Sequence, residues 1–242
     1  MKEIIAMHGW AGNGDQWTKW KDLFQCSGWE WKSAERRYKG INPYMPKWSN
    51  ESNQVNQKKV AICHSLGSHL IDDKVLYSAT HVVLINSFSR FIPSGRDNRH
   101  VTIALSRMMD AINTPNEALM LRKFHIKANK PSKINLASDE SYILHLSDSG
   151  RLRLKNDLKL LMNSDSLPIG LHINSKLLIV SSEQDHILTN TTREKLTEDL
   201  KNHLSNQPTM INLHEEGHSI SKIKSIQKIK EWLEFEHANK MV

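Results

Sequence analysis

KKVAICHSLGSHL, residues 58–70, is the stretch from which the rest of the chain can be read. The run VAIC is short, apolar and unbroken, as a strand buried inside a parallel sheet would be. Immediately after it Leu66, Leu70, Ile71 and Val75 recur near helical spacing, so the spacing predicts a strand passing into a helix with Ser65 at the junction. Cys63-His64-Ser65-Leu66-Gly67 is a variant of the G-x-S-x-G elbow, a sharp turn that lifts a serine hydroxyl above the sheet. Strand and helix backbones approach closely there, which calls for small residues two before and two after the serine. Gly67 meets that need and Cys63 nearly does.

Working outward, EIIAM (3–7) predicts a buried strand that runs into the glycine-rich loop HGWAGNG (8–14), a usual place for a ligand site. Residues 15–27 read as helix, 29–33 as a short strand, and 42–57, with Pro43 and Pro46, as a surface loop. HVVLINSF (81–88) supplies another parallel-type strand. Beyond residue 90 the signal is helical only. Thr114-Pro115-Asn116-Glu117 is a capping box from which a helix should run towards Lys130, and Leu154, Leu158 and Leu161 share a face of a helix over 150–163. Alternation resumes with KLLIVSS (176–182), a helix near 191–204, TMINL (209–213) and a last amphipathic helix carrying Ile220, Ile223, Ile226, Ile229 and Leu233. The expected organisation is a core over 1–94 and 166–242 interrupted by a helical cap insertion at 95–165.

Composition bounds the reading. The chain of 242 residues has 38% apolar residues, a mean hydropathy of −0.53 and a net charge of +7. No segment approaches the roughly 18 to 20 apolar residues of a membrane span, and the first apolar run is far too short for a signal peptide. A cytoplasmic monomer with no membrane partner is expected. Cys26 and Cys63, without CxxC spacing, indicate neither a disulfide framework nor structural zinc. The positive charge points to an acidic partner.

Ser65 can attack a carbonyl only if a base takes its proton, and that base needs a carboxylate behind it. Asp185 follows KLLIVSS and His218 follows TMINL, each just past a strand's C-terminal end, and the order Ser, Asp, His is that of the α/β hydrolases. The reading is a serine ester hydrolase: Ser65 nucleophile, His218 base, Asp185 acid. Glu183 competes with Asp185 and His214 with His218. The backbone N–H groups of Leu66 and Trp10 are the candidate oxyanion donors. No metal or organic cofactor is required. The expected fold is α/β, an α/β-hydrolase with a mostly parallel central sheet flanked by helices under a helical cap.

IIAMHGWAGNGDQW (4–17) resembles the HGWG segment of the BioH family of pimeloyl-[acyl carrier protein] methyl ester carboxylesterases, and ICHSLGS (62–68) resembles its GHSLGG elbow. The stretch from Leu154 to Leu188 is similar to that family's cap exit, strand and acid loop, and the resemblance does not extend over most of the insertion. The resemblance implies hydrolysis of the methyl ester of pimeloyl-[acyl carrier protein] in biotin biosynthesis, by BioH itself or an analogue that replaces it. The chain departs from the family at Cys63, at Ala11, which stands where the family has glycine, and in lacking the usual hairpin before the first strand, which predicts a sheet shortened at its N-terminal side.

Between residues 90 and 165 stand 13 Lys and Arg against 8 Asp and Glu. Acyl carrier protein is acidic, and Arg122, Lys123, Lys127, Arg151, Arg153 and Lys155 are the candidates to hold it or its phosphopantetheine phosphate; an ordinary solvated charged face is the competing reading of each. Other enzymes on the same scaffold remain open: a general short-chain carboxylesterase, an acyl thioesterase, or a lyase of the menaquinone pathway. So does a receptor-like protein that only binds a small ligand. Nucleic acid is not an expected partner, because no recognised motif accompanies the basic insertion.

Overall fold

The computed structural model describes residues 2–50, 57–132 and 146–235. Six strands form one sheet: β1 (Lys2–Met7), β2 (Glu30–Ala34), β3 (Lys58–His64), β4 (His81–Ile85), β5 (Lys176–Ser182) and β6 (Thr209–Leu213). Their spatial order is β2-β1-β3-β4-β5-β6 and every pairing is parallel. The inner strands β1, β3, β4 and β5 are apolar at their centres because both faces of the sheet are covered there, whereas the edge strands β2 and β6 are partly exposed. On one face Ile4, Ala6, Val60, Ile62, Val83, Ile85, Leu178 and Val180 meet α1 (Thr18–Gln25) through Trp20 and Phe24 and α8 (Ile223–Phe235) through Ile226, Ile229 and Leu233. The alternate residues Ile5, Met7, Ala61, Cys63, Val82, Leu84, Leu177 and Ile179 face the other core, under α2 (Gly67–Leu70), α3 (Asp73–Tyr77) and α7 (Asn190–His203). Each fully buried Val, Leu, Ile or Met among them contributes about 2 kcal/mol of hydrophobic stabilisation.

Between β4 and β5 the chain makes α4 (Asp97–Ala111), α5 (Glu117–Asn129) and α6 (Asp148–Asn163), and the two flanking strands pair directly, His81 opposite Lys176. The insertion therefore leaves the sheet's continuity intact. Its residues 133–145, like 51–56 of the predicted surface loop, lie outside the described residues.

Three sequence expectations are corrected. The single helix after the elbow is two short ones, because Ile71 is extended and Asp72 caps α3 by accepting the Lys74 N–H. The helix expected from Thr114 begins at Glu117: Thr114 Oγ1 accepts from Asn116 instead, while the Glu117 carboxylate accepts the Asn113 N–H and pairs with Arg151. The last helix starts at Ile223, so Ile220 precedes it.

Candidate active site

The order of the strands reverses between β1 and β3, and a crevice opens at their C-terminal ends, the usual ligand position in an open parallel sheet. The 8–14 loop leaves β1 there and the elbow leaves β3 beside it. Ser65 has φ +55, the left-handed conformation that an elbow imposes on its serine at a cost of about 1–3 kcal/mol. Its neighbours explain how the turn fits. A Cβ on Gly67 would stand 2.5 Å from the Met7 carbonyl oxygen, and one on Gly9 would stand 2.9 Å from Ser65 Cβ. Gly67 is therefore demanded by the approach of the β1 backbone, and Gly9 by the packing of its loop against Ser65. Cys63 is fully buried in β3, and burial pushes its thiol up to about 12, so the sulfur stays protonated next to the serine.

The backbone N–H groups of Trp10 and Leu66 donate to no acceptor among the described residues, which leaves both available to an oxygen held near Ser65. The Trp10 indole donates to the Leu154 carbonyl at 2.8 Å and its ring meets Phe124 edge-on at 4.9 Å.

The loops after β5 and β6 bring Asp185 and His218 together. His218 Nδ1 donates to Asp185 Oδ2 at 2.8 Å, and Asp185 Oδ1 accepts the N–H groups of Ile187 at 2.7 Å and Leu188 at 3.1 Å. Burial pushes the Asp185 carboxyl up, but the charge and hydrogen bond of His218, with those two N–H groups, hold it below its ordinary value. The bond on Nδ1 leaves Nε2 as the proton-free nitrogen of a neutral His218 ring. The competing residues pair with each other instead: His214 Nδ1 lies 2.6 Å from Glu183 Oε1 at the surface. The His218 ring lies against that of His64, the residue before the serine, with centroids 4.9 Å apart. Ser65 Oγ itself has no hydrogen-bond partner among the described residues; such a bond is often long until substrate closes on it.

Two residues that sequence reasoning did not assign to the site hold the histidine loop. Asn86, at the end of β4 with φ +42 and buried, donates through Nδ2 to the carbonyls of Gly217 and His218 and to Ser182 Oγ, and accepts the Ser182 N–H. His64 donates from Nε2 to the same His218 carbonyl at 2.8 Å. Burial, helped by the neighbouring His218, lowers His64 to about 3, so it makes that bond as a neutral ring. A polar residue directly after an apolar strand was the signal for Asn86.

Ser65 and Trp10 form part of the wall of a cavity of about 560 Å³ roofed by the cap. Among the described residues its surface is mainly Phe91, Leu105, Met108, Met120, Phe124 and Leu158, and the charged ones are Arg107, Lys123 and Lys127, with no carboxylate. Of the six basic candidates, Lys123 and Lys127 thus reach the cavity, whereas Arg107 was not among those predicted. Arg122 and Lys155 are exposed and away from its wall. Arg151 pairs with Glu117 and Asp148, and Arg153 donates to the carbonyls of Arg37, Gly40 and Ile41, so both are occupied within the fold. No described helix is long and apolar enough to cross a membrane.

No protein-family model matches the sequence, and no curated protein matches it. Solved structures do match. An esterase from Exiguobacterium antarcticum superimposes with a TM-score of 0.68 at 15% identity, over 96% of this chain and 90% of that one. ClbQ of the colibactin NRPS/PKS pathway gives 0.64 at 9% identity over 99% and 98%. MGS-M2, an α/β-hydrolase enzyme from a Medee basin deep-sea metagenome library, gives 0.61 at 13% over 96% and 87%. At such identities the likeness is one of fold: the six-stranded parallel sheet flanked by helices is an α/β-hydrolase fold.

Proposed function

We propose that the chain is a serine carboxylesterase in which Ser65 attacks an ester carbonyl, His218 takes and returns the proton, and Asp185 orients the histidine. The reading is carried by the buried Asp185–His218 pair at 2.8 Å, standing at the same end of the sheet as a serine in an elbow conformation. Attack puts the Ser65 proton on His218 Nε2 and forms a tetrahedral oxyanion facing the Trp10 and Leu66 N–H groups. The alcohol then leaves with the proton from His218. Water, deprotonated by the same imidazole, cleaves the acyl-enzyme and frees the acid.

For the substrate we propose the methyl ester of pimeloyl-[acyl carrier protein], cleaved in the cytoplasm during biotin biosynthesis. The resemblance of the 4–17 and 62–68 segments to the BioH family motivates this. An apolar cavity of about 560 Å³ would take the acyl chain, and Lys123, Lys127 and Arg107 in its wall suit an anionic carrier. The remaining basic candidates would act only in approach.

The test is turnover of pimeloyl-[acyl carrier protein] methyl ester by the wild type and by Ser65→Ala, with rescue of a biotin auxotroph that lacks its own methyl esterase. Equal turnover by both proteins would remove the serine mechanism. Good cleavage of small free esters, with no rescue and no salt-sensitive preference for the carrier-bound ester, would favour a general carboxylesterase.

A further inference from the structure

Two adjacent residues just after β2 tie the loop that presents the Trp10 N–H to the core and its surroundings to the cap. On the core side, Glu35 Oε1 lies 2.8 Å from His8 Nε2 and Glu35 Oε2 accepts the Gly14 N–H at 2.6 Å, so one carboxylate spans both ends of the 8–14 loop. On the cap side, Arg36 makes two bonds to Asp157 of α6, at 2.8 and 2.5 Å. Asp157 is 3% exposed, which makes that charged pair the kind that holds geometry because leaving either partner unmatched is costly. One turn earlier on α6 is Leu154, whose carbonyl holds the Trp10 indole. The bonds therefore close a ring: from Trp10 into α6, through Asp157 to Arg36 and Glu35, and through His8 back to Trp10.

We propose that Glu35 and Arg36 are positioning residues for ester cleavage, fixing the Trp10 N–H against Ser65 and tying that N–H to the seat of cap helix α6. The proposal rests on Ser65 being the nucleophile. Neither residue lines the Ser65 cavity, so neither is needed to bind the acyl group. What they supply is the placement of a donor that matters only once the carbonyl oxygen becomes an anion. A misplaced oxyanion donor lowers the rate of acylation without weakening ground-state binding.

Hydrolysis of p-nitrophenyl butyrate tests this with Glu35→Gln, which keeps the size of the side chain but removes its charge, and Arg36→Lys, which keeps the charge but loses the two-point hold. For Glu35→Gln, kcat should fall about ten- to a hundred-fold with KM changed less than about two-fold. Affinity for butylboronic acid, which forms a tetrahedral anion on serine, should fall by a similar factor. Arg36→Lys should move the same way by a smaller factor, and the Glu35→Gln/Asp157→Asn double variant should lose little more than the worse single one. Unchanged kcat, a change confined to KM, or additive losses would overturn the proposal. So would boronate affinity that stays at the wild-type level while kcat drops, since stability alone would then account for the loss. Should Glu35→Gln not fold, Arg36→Lys decides on the same readouts. Ser65→Ala separates the two claims: wild-type turnover that survives it removes the serine reading and this one together, whereas turnover abolished by Ser65→Ala but intact in Glu35→Gln removes only the positioning pair.

Discussion

The loops after β5 and β6 make two histidine–carboxylate pairs, Glu183 with His214 at 2.6 Å and Asp185 with His218 at 2.8 Å. The side chains of the first are 47% and 72% exposed, those of the second 0% and 3%. The shorter contact belongs to the pair that water screens, where such a contact is worth about 0–1 kcal/mol. The longer one lies where the dielectric is low, its carboxylate fixed by two backbone N–H groups and its histidine fixed by the bonds of Asn86 and His64 to the His218 carbonyl. Surroundings, and not separation, distinguish the two pairs: one is buried and held in place, the other is exposed and screened.

The most direct way to break that contrast is to neutralise each carboxylate. Asp185→Asn should lower kcat for p-nitrophenyl butyrate about 10³-fold or more, because an amide can donate to Nδ1 and trap the imidazole in the wrong tautomer. Glu183→Gln, two residues earlier, should leave kcat within about two-fold. Comparable losses from both would erase the distinction.

Acid sharpens the contrast through stability. Burial holds His64 at about 3 and His125 at about 4, both below the ordinary histidine value of 6.5. Below about 6.5 the unfolded chain then binds protons that the folded chain refuses, so their contribution is complete above that pH and drains as the pH falls towards their folded values. Asp185 and Glu35 are carboxylates held below their ordinary values, so their contribution is present above about 4 and is lost as the pH falls further. All four effects have the same sign. The unfolding free energy from urea titrations, and with it the midpoint, should therefore decline from about pH 6.5 downward, the free energy by a total on the order of a few kcal/mol, and His64→Gln should flatten the upper part of that limb. A midpoint constant from pH 6.5 to pH 4.5 would contradict this account.

Asn86 is the next lever. Asn86→Ala removes donors from the carbonyls of Gly217 and His218 and leaves buried polar atoms unmatched, so it should cost about 2 kcal/mol by urea denaturation and lower kcat as well. Stability unchanged within about 0.5 kcal/mol would show that the histidine loop stands without it.

That residue marks where the sequence stops being readable. Apolar runs separated by helical spacing identify β1, β3, β4 and β5, because burial on both faces of a parallel sheet writes itself directly into composition, and the edge strand β6 is read from the same alternation although it is largely exposed. That an acid just past β5 and a histidine just past β6 are the candidates follows from chain order. The choice of Asp185 over Glu183 does not, since both lie just past the same strand and only the tertiary burial of one separates them. The Glu35–Arg36 grip is likewise a product of loops from distant strands meeting, for which no local pattern exists, and for Asn86 the local signal of a polar residue after an apolar strand does not say which carbonyls it holds. Ala11 lies between these cases. Its departure from the family's glycine is visible in the sequence, and the structure gives it φ +55, a conformation that alanine adopts with strain. Ala11→Gly should therefore stabilise the fold by up to about 1 kcal/mol, the relief being offset in part by the greater freedom of glycine in the unfolded chain. A lower melting temperature for Ala11→Gly would mean that the methyl group's packing outweighs the strain.

The smallest expected effect bears on the surface pair. His214 is tied to its surroundings by the Gln184 side chain on its carbonyl, and Glu183 by the Asn212 amide, so the two loops stay adjacent when the charges are removed. A double-mutant cycle on Glu183→Gln and His214→Gln should return a coupling below about 0.5 kcal/mol and less still in high salt, because exposed charges of this kind are screened by water and ions. A coupling above about 1 kcal/mol that survives high salt would mean that the surface contact helps set the loop bearing Asp185. The two pairs would then work as one unit, with the exposed one acting as a brace for the buried one.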